Sequence, residues 1–145
     1  MECEFPSVNS NKQEIQEIFQ EVKTIAILGL SPNPEKPSHR VAKYLQEEGF
    51  KIVPVYPKED TILGEKVYRS LGEIPFSVDM VDIFRAAKAL DAVADACIAR
   101  GDVKIFWAQK EIVNNAAAQR AKDAGMKVVQ NMCTMIEHEA LKEGQ

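Results

Sequence analysis

The residues best suited to binding chemistry are concentrated between Gly29 and Arg40, directly after an apolar run. Ser31 and Ser38 supply hydroxyl groups in this segment, and Lys36 and Arg40 supply positive charge. Hydroxyl groups, cations and the free amides of a helix N-terminus are the groups with which proteins bind phosphate. The segment therefore predicts a phosphate site, although a plain strand-to-helix loop with a serine cap and two solvated cations has the same composition.

This segment differs from the GxGxxG loop of nicotinamide dinucleotide enzymes, because Gly29 alone remains and Ser31 stands at the second glycine. Such enzymes also place Asp or Glu after the second strand, against the ribose hydroxyls. Here Tyr56 and Lys58 follow instead, and a lysine suits a ribose that carries a phosphate. The preceding strand end at Pro54 is stiff and apolar enough for an adenine to lie against it. Lys58 could equally be an edge-loop lysine in water.

Three other predicted strand ends carry side chains of interest. Phe84 and Arg85 lie at the end of the third strand, and Trp107 and Gln109 lie at the end of the fourth. Trp107 could stack on a ligand or pack in the core. Gln109 could hydrogen-bond an amide group of a ligand or tie two loops together. Cys133, after the fifth strand, could face the same ligand or fill a small buried space.

Groups for nucleophilic catalysis or metal binding are sparse. His39 and His138 are the two histidines, and neither has an evident Ser or Cys partner in the sequence. The cysteines at 3, 97 and 133 form neither a CxxC pair nor a Cys/His cluster. We therefore assign no catalytic residue and no metal ligand from the sequence, and we expect reduced thiols.

Length and composition indicate one globular domain spanning residues 1–145, with 46% hydrophobic and 28% charged residues. The 18 basic and 22 acidic residues give a net charge of −4, which argues against nucleic acid as a partner. No apolar run approaches the ~20 residues of a membrane span, and residues 1–11 lack the features of a secretory signal. We therefore expect a cytoplasmic protein without a membrane partner.

The elements that must position these residues alternate along the chain. Buried apolar runs predict five strands, at 24–29, 51–55, 79–84, 103–107 and 126–130. Helical patterns between them imply parallel pairing with right-handed crossovers. We predict an α/β fold with a single doubly wound five-stranded parallel sheet in the order 3-2-1-4-5. Ligands bind such sheets beyond the carboxyl ends of the strands, where the strand order reverses.

Two local patterns predict helix starts. Asn114 can cap a helix that runs to Ala124. Thr134 and Glu137 are three residues apart, as in a capping box, and they predict a last helix through Leu141. These two helices would flank the fifth strand.

Several motifs, in the right order, resemble a known family. The segments ILGLS (27–31) and PSHRV (37–41) look like the opening of the small stand-alone CoA-binding proteins. These are similar to the nucleotide-binding N-terminal domain of the succinyl-CoA synthetase alpha subunit. The segments IVPVYP (52–57), VDMVDIFR (78–85) and WAQ (107–109) follow in the family's register. The resemblance covers about residues 15–138.

The resemblance implies a Rossmann-like fold that binds coenzyme A or an acyl-CoA, with the ADP moiety at the first loop and the second strand end. Taken together with the loop residues above, the implied ligand contacts are Gly29, Ser31, Pro32, Lys36, Ser38, Arg40, Pro54, Val55, Tyr56, Lys58, Phe84, Arg85, Gln109 and Cys133. The chain departs from the family at Tyr56, where asparagine is usual, and at Glu111, in a loop that usually has glycine.

We expect a CoA-binding module without turnover of its own, because the chain lacks the phosphohistidine segment and the length of the larger synthetase. The alternative is an NADP-linked oxidoreductase or a nucleotide-sensing subunit, since Lys58 fits a 2′-phosphate about as well as the 3′-phosphate of CoA. A third hypothesis is a scaffold or partner subunit whose ligand site has degenerated. The sequence leaves open whether the chain forms a homodimer.

Overall fold

The computed structural model describes residues 5–144. Its helices are α1 (Lys12–Glu21), α2 (Pro37–Glu47), α3 (Leu90–Arg100), α4 (Asn115–Asp123) and α5 (Thr134–Glu143). Its strands are β1 (Thr24–Leu28), β2 (Lys51–Val55), β3 (Thr61–Ile62), β4 (Glu65–Lys66), β5 (Met80–Ile83), β6 (Ile105–Ala108) and β7 (Lys127–Val129). Five strands form one parallel sheet, and β3 and β4 form a short antiparallel hairpin in a loop predicted to be irregular. The predicted α/β class with a five-stranded parallel sheet is confirmed.

One strand lies at a different place from the one expected. The order 3-2-1-4-5 put the third major strand, β5, outside β2, whereas β5 pairs with β1 and the sheet reads β2-β1-β5-β6-β7. If the five strands of the sheet are numbered along the chain without β3 and β4, their order is 2-1-3-4-5. The order reverses between β1 and β5. Pro54 supplies the physical reason, because proline has no amide hydrogen and is confined to edge strands. Its carbonyl faces the free side of β2, where it accepts from the amide of Tyr68 at 2.9 Å.

The sheet separates two apolar layers. Helices α1, α2 and α5 cover one face, and α3 and α4 cover the other. Trp107 belongs to the first layer and is fully buried, with its ring centroid 5.5 Å from that of Phe19. Its Nε1 donates to the carbonyl of Met132 at 2.8 Å. Trp107 is therefore a core residue and lines neither of the cavities described below.

Of the two predicted helix starts beside β7, the one at α4 is as expected and the one at α5 differs. Asn114 caps α4, since its Oδ1 accepts from the amide of Ala117 at 3.1 Å. The predicted capping box at Thr134 and Glu137 is not formed, because the N-cap of α5 is Cys133 and makes no side-chain capping bond. Thr134 instead donates its hydroxyl hydrogen to Asp82, inside the fold, at 2.9 Å.

Both outer strands of the sheet have partners along their outer sides. Residues 7–10, the N-terminal segment, run beside β7: Ser10 donates to the carbonyl of Val128, and the Asn9 amide pairs with both backbone groups of Gln130. Tyr68 occupies the outer side of β2 through bonds to Pro54 and Tyr56. Among residues 5–144 no helix is long and apolar enough to cross a bilayer.

Candidate functional site

Two cavities lie at the carboxyl ends of the central strands. The larger one, about 820 Å³, lies above β1, β5 and β6, and the smaller one, about 320 Å³, lies at the end of β2. Gly29 and Arg85 border both cavities. The two spaces therefore adjoin where the strand order reverses, which is the position expected for a ligand in a sheet of this kind.

Gly29 is required by the close approach of β1 and the end of β5. Its φ is +84°, and an added Cβ would lie 2.5 Å from the carbonyl oxygen of Phe84. The Gly29 amide donates to Val55 at 3.0 Å, so the same residue also joins β1 to the end of β2.

The loop after β1 is held by its own serines. The Oγ of Ser38 accepts from the amide of Ser31 at 3.0 Å, and the Oγ of Ser31 accepts from the amide of Asn33 at 3.1 Å. Ser38 lies in the first turn of α2, whose N-cap is Lys36, so Ser38 does not cap the helix. Within the described residues neither serine hydroxyl has an acceptor for its own hydrogen. Both serines line the larger cavity, so their hydroxyl hydrogens are available to an anion there.

Positive charge predominates around the larger cavity although the chain as a whole is acidic. Its walls include four cations and one carboxylate: Lys36, Arg40, Arg85, Lys110 and Glu111. The guanidinium of Arg40 is held by the carbonyl of Glu35. Since the net charge of the chain is −4, this excess is a local property of the site. It favours an anionic ligand.

The smaller cavity is lined by the end of β2 and by residues that the sequence did not single out. Val55 and Tyr56 are in its wall, as predicted site residues, and Arg69 joins them. Arg69 Nη1 donates to the carbonyls of Tyr56 at 3.1 Å and Lys58 at 3.0 Å, which fixes the guanidinium beside the strand end. No local motif marks Arg69, because its position depends on the hairpin and on the pairing of Tyr68 with β2.

One part of the larger cavity, called its inner end below, is lined by Gln109, Ile112, Cys133, Met135 and Ile136 and includes a buried polar group. Gln109 is only 4% exposed, and its Nε2 donates to a carboxylate oxygen of Asp82 and to Thr134 Oγ1 at 2.8 Å. Asp82 is fully buried, and burial raises the pKa of its carboxyl group to about 7 although both neighbours donate to it. Cys133, half-buried, lies beside this group in the cavity wall.

The structure brings most of the predicted site residues together. Those in the larger cavity are Gly29, Ser31, Lys36, Ser38, Arg40, Phe84, Arg85, Gln109 and Cys133. Those in the smaller cavity are Gly29, Val55, Tyr56 and Arg85. The predicted residues outside both walls are Pro32, Pro54 and Lys58. Side chains of the larger cavity that the sequence did not single out as contacts include Lys110, Glu111, Ile112, Met135 and Ile136.

The histidines and acidic residues form no metal centre in the described part of the chain, where no group of three or more His, Cys, Asp or Glu side chains is placed to hold an ion. His39 Nδ1 contacts the carbonyl of Ser31 at 2.9 Å and so braces the first loop. His138 contacts the hydroxyl of Tyr44 at 2.7 Å, between α5 and α2. Both histidines have structural partners.

Comparison with known proteins agrees with the geometry. A family model described as a CoA binding domain matches residues 23–139. YneT from Bacillus subtilis is 40% identical over 134 residues, which cover 92% of this chain and 98% of that protein. A solved structure described as a hypothetical protein from Pyrococcus horikoshii OT3 has a TM-score of 0.88 and 37% identity, covering 98% of this chain and 99% of that one.

Longer enzymes contain a related segment. ADP-forming acetate–CoA ligase II from Archaeoglobus fulgidus is 38% identical over 81 residues, which are 54% of this chain but only 12% of the ligase. The family model covers most of the chain, and YneT matches it over nearly its whole length. The resemblance seen in the motifs is thereby confirmed, and the chain belongs to the CoA binding domain family.

Proposed function

We propose that this protein binds coenzyme A or an acyl-CoA across the two adjoining cavities, without turnover of its own. The observation that carries the proposal is the junction at Gly29 and Arg85, which connects a cation-lined space to a second, smaller one. CoA is an elongated ligand with an adenosine, phosphates and a long pantetheine arm. A ligand of that shape needs a bipartite site with positive charge in the middle.

The phosphates are the part of CoA that the loop after β1 suits best. Ser31 and Ser38 present hydroxyl groups, and the N-terminus of α2 contributes the positive end of its dipole. Arg85 reaches the same place from the end of β5. We assign the diphosphate to this region, because three independent elements supply donors to it.

The adenosine and the pantetheine arm then extend to opposite sides. The smaller cavity, with Val55, Tyr56 and the fixed guanidinium of Arg69, suits a flat base and a phosphorylated ribose. The larger cavity is also lined by Gln109 and by the apolar side chains of Ile112, Met135 and Ile136. We assign the pantetheine arm to this inner end.

Binding without turnover is proposed because the chain matches only a small part of the longer ligases. The matched segment is 12% of the Archaeoglobus ligase, and the cavities contain no pair of side chains arranged as nucleophile and base. A carrier or sensor of CoA needs only the site described above.

Calorimetric titration of the wild-type protein with CoA, NADP and adenosine 3′,5′-bisphosphate tests the proposal. CoA should bind more tightly than NADP, and the bisphosphate should bind more weakly than CoA because it lacks the arm. Replacement of Arg85 by alanine removes a charged hydrogen bond worth about 1.5–3 kcal/mol, or roughly 10- to 150-fold in Kd. Lys104→Ala is the matched control, since this exposed cation precedes β6 at the opposite end of the sheet.

NADP is the competing ligand, because β2 ends without an acidic residue and Lys58 and Arg69 lie nearby. Equal or tighter binding of NADP would replace the proposal with the nucleotide alternative. Loss of affinity in Lys104→Ala as large as in Arg85→Ala would remove the site assignment. A comparison of CoA with dephospho-CoA in Lys58→Ala shows whether this exposed lysine contacts the 3′-phosphate.

A further inference from the structure

A buried polar group lies directly beneath the inner end of the larger cavity and has no part in the phosphate site. Its members are Asp82 on β5, Gln109 after β6 and Thr134 at the start of α5. Asp82 and Thr134 are both fully buried. Three elements of the fold thus meet through these side chains, and Gln109 also lines the cavity.

The hydrogen bonds of this group determine which way the Gln109 amide faces. The Nε2 group has two hydrogens, one of which is donated to the Asp82 carboxylate and the other to Thr134 Oγ1 at 2.8 Å. The Thr134 hydroxyl group donates a hydrogen bond to the second carboxylate oxygen of Asp82 at 2.9 Å. While the Asp82 carboxyl group is ionised, rotation of the amide by half a turn would place Gln109 Oε1 against a carboxylate oxygen, and two acceptors would lie in contact without a hydrogen.

The Gln109 oxygen is therefore directed away from the buried group. Within residues 5–144 no donor contacts Oε1, and no buried side-chain oxygen or nitrogen in the described chain lacks a partner. Oε1 accordingly remains accessible from the cavity that Gln109 lines. The site presents one fixed acceptor at the inner end of a mostly apolar wall.

We propose that Gln109 is a specificity-determining residue that selects ligands with a hydrogen-bond donor opposite its Oε1. Asp82 and Thr134 are positioning residues that fix the orientation of the Gln109 amide. The inference rests on the proposed function and identifies the matching group of the ligand as an amide N–H of the pantetheine arm. A ligand arm with only acceptors at that point would leave Oε1 unpaired and would bind more weakly.

The first experiment compares a ligand that has the arm with one that does not. In Gln109→Met the Kd of CoA should rise about 3- to 10-fold, as for loss of one neutral hydrogen bond, and the Kd of adenosine 3′,5′-bisphosphate should stay within about twofold. Thr134→Val should give a smaller loss with CoA alone, because it frees the amide to rotate. Gln119→Met on the exposed side of α4 is the matched control.

The outcomes separate this inference from the proposed function. If the wild-type protein binds neither ligand, the proposed function fails. If it binds both, and Gln109→Met changes both affinities equally or neither, then Gln109 has no selective role and the inference is overturned.

A second experiment starts from the wild-type protein and changes the ligand. Two CoA analogues are compared, each with a methyl group on one of the two pantetheine amide nitrogens. One of the two should bind the wild-type protein about 3- to 10-fold more weakly than CoA. With Gln109→Met the same analogue should show no additional loss, since the partner of the missing hydrogen is already gone. Unchanged affinity for both analogues on the wild-type protein would contradict the proposal.

Discussion

Replacement of Gly29 by alanine should destabilise the fold far more than a glycine replacement usually does. A Cβ at this position would lie 2.5 Å from the Phe84 carbonyl oxygen, and real Cβ contacts essentially never fall below 3.0 Å. Phe84 must therefore move by at least 0.5 Å, the difference between the two distances. That oxygen belongs to the backbone, so the end of β5 must move with it.

The magnitude follows from three contributions. The left-handed φ of +84° costs an alanine about 1–2 kcal/mol. Forcing a methyl group into a packed position adds about 1–3 kcal/mol. Displacing Phe84 weakens its 2.9 Å amide bond to Leu28, worth about 0.5–1.5 kcal/mol. Together these contributions predict a loss of about 2.5–6.5 kcal/mol in the free energy of unfolding.

Gly101→Ala is the matched control, because Gly101 has a similar φ of +77° and no atom within 4 Å of an added Cβ. It should lose only the conformational contribution, about 1–2 kcal/mol. Urea denaturation followed by circular dichroism gives both values, provided that the m-values agree. If the two variants lost the same stability, the close approach of β1 and β5 would not be what requires glycine at position 29.

Three other predictions follow from buried or half-buried groups. Burial raises the pKa of Asp82 from 3.8 to about 7, so the folded protein holds this proton more tightly than the unfolded chain does. As pH rises from about 4 through 7, the free energy of unfolding of the wild-type protein should therefore fall by about 4 kcal/mol relative to that of Asp82→Asn. Urea denaturation at each pH measures both, and parallel pH curves would contradict the prediction. Iodoacetamide should modify Cys133 in the native protein and spare Cys97, because Cys97 is fully buried and burial raises the pKa of its thiol to about 12. Saturating CoA should slow the reaction at Cys133. Peptide mapping that finds Cys97 modified first, or a reaction at Cys133 that CoA does not slow, would refute this prediction. Replacement of Arg100, which donates to three backbone carbonyls and a carboxylate, by alanine should lower the free energy of unfolding by about 3–5 kcal/mol, and the same replacement of the more exposed Arg120 should lower it much less; equal losses in thermal unfolding would show that burial does not set the difference.

The sequence predicted the sheet and the loop after β1 because both depend on local patterns. A continuous apolar run that ends at Gly29 describes β1, and Pro37 marks the first turn of α2. The position of β5 could also have been predicted, since Pro54 is compatible with β2 only at the sheet edge.

Other parts of the site depend on contacts between distant segments. Arg69 reaches the smaller cavity because Tyr68 pairs with β2, and nothing in its neighbours along the chain indicates this. Thr134 matched a capping pattern, but an ionisable side chain within reach competes for its hydroxyl. Asp82 was predicted within a strand, and its partner Gln109 lies 27 positions further along the chain. Side-chain networks of this kind become visible only when the strands are placed side by side.

The covered outer sides of β2 and β7 limit how the molecule can associate with itself. A strand with free amides and carbonyls is a template onto which another chain can add, and this is a common route to aggregation. Here the Asn9 and Ser10 side chains and the Tyr68 backbone already bond to several of these groups, at Pro54, Tyr56, Val128 and Gln130. A continuous sheet across two copies would first have to displace them and lose their hydrogen bonds. Any homodimer should therefore form through helical surfaces, and lateral growth into fibrils is opposed at both margins.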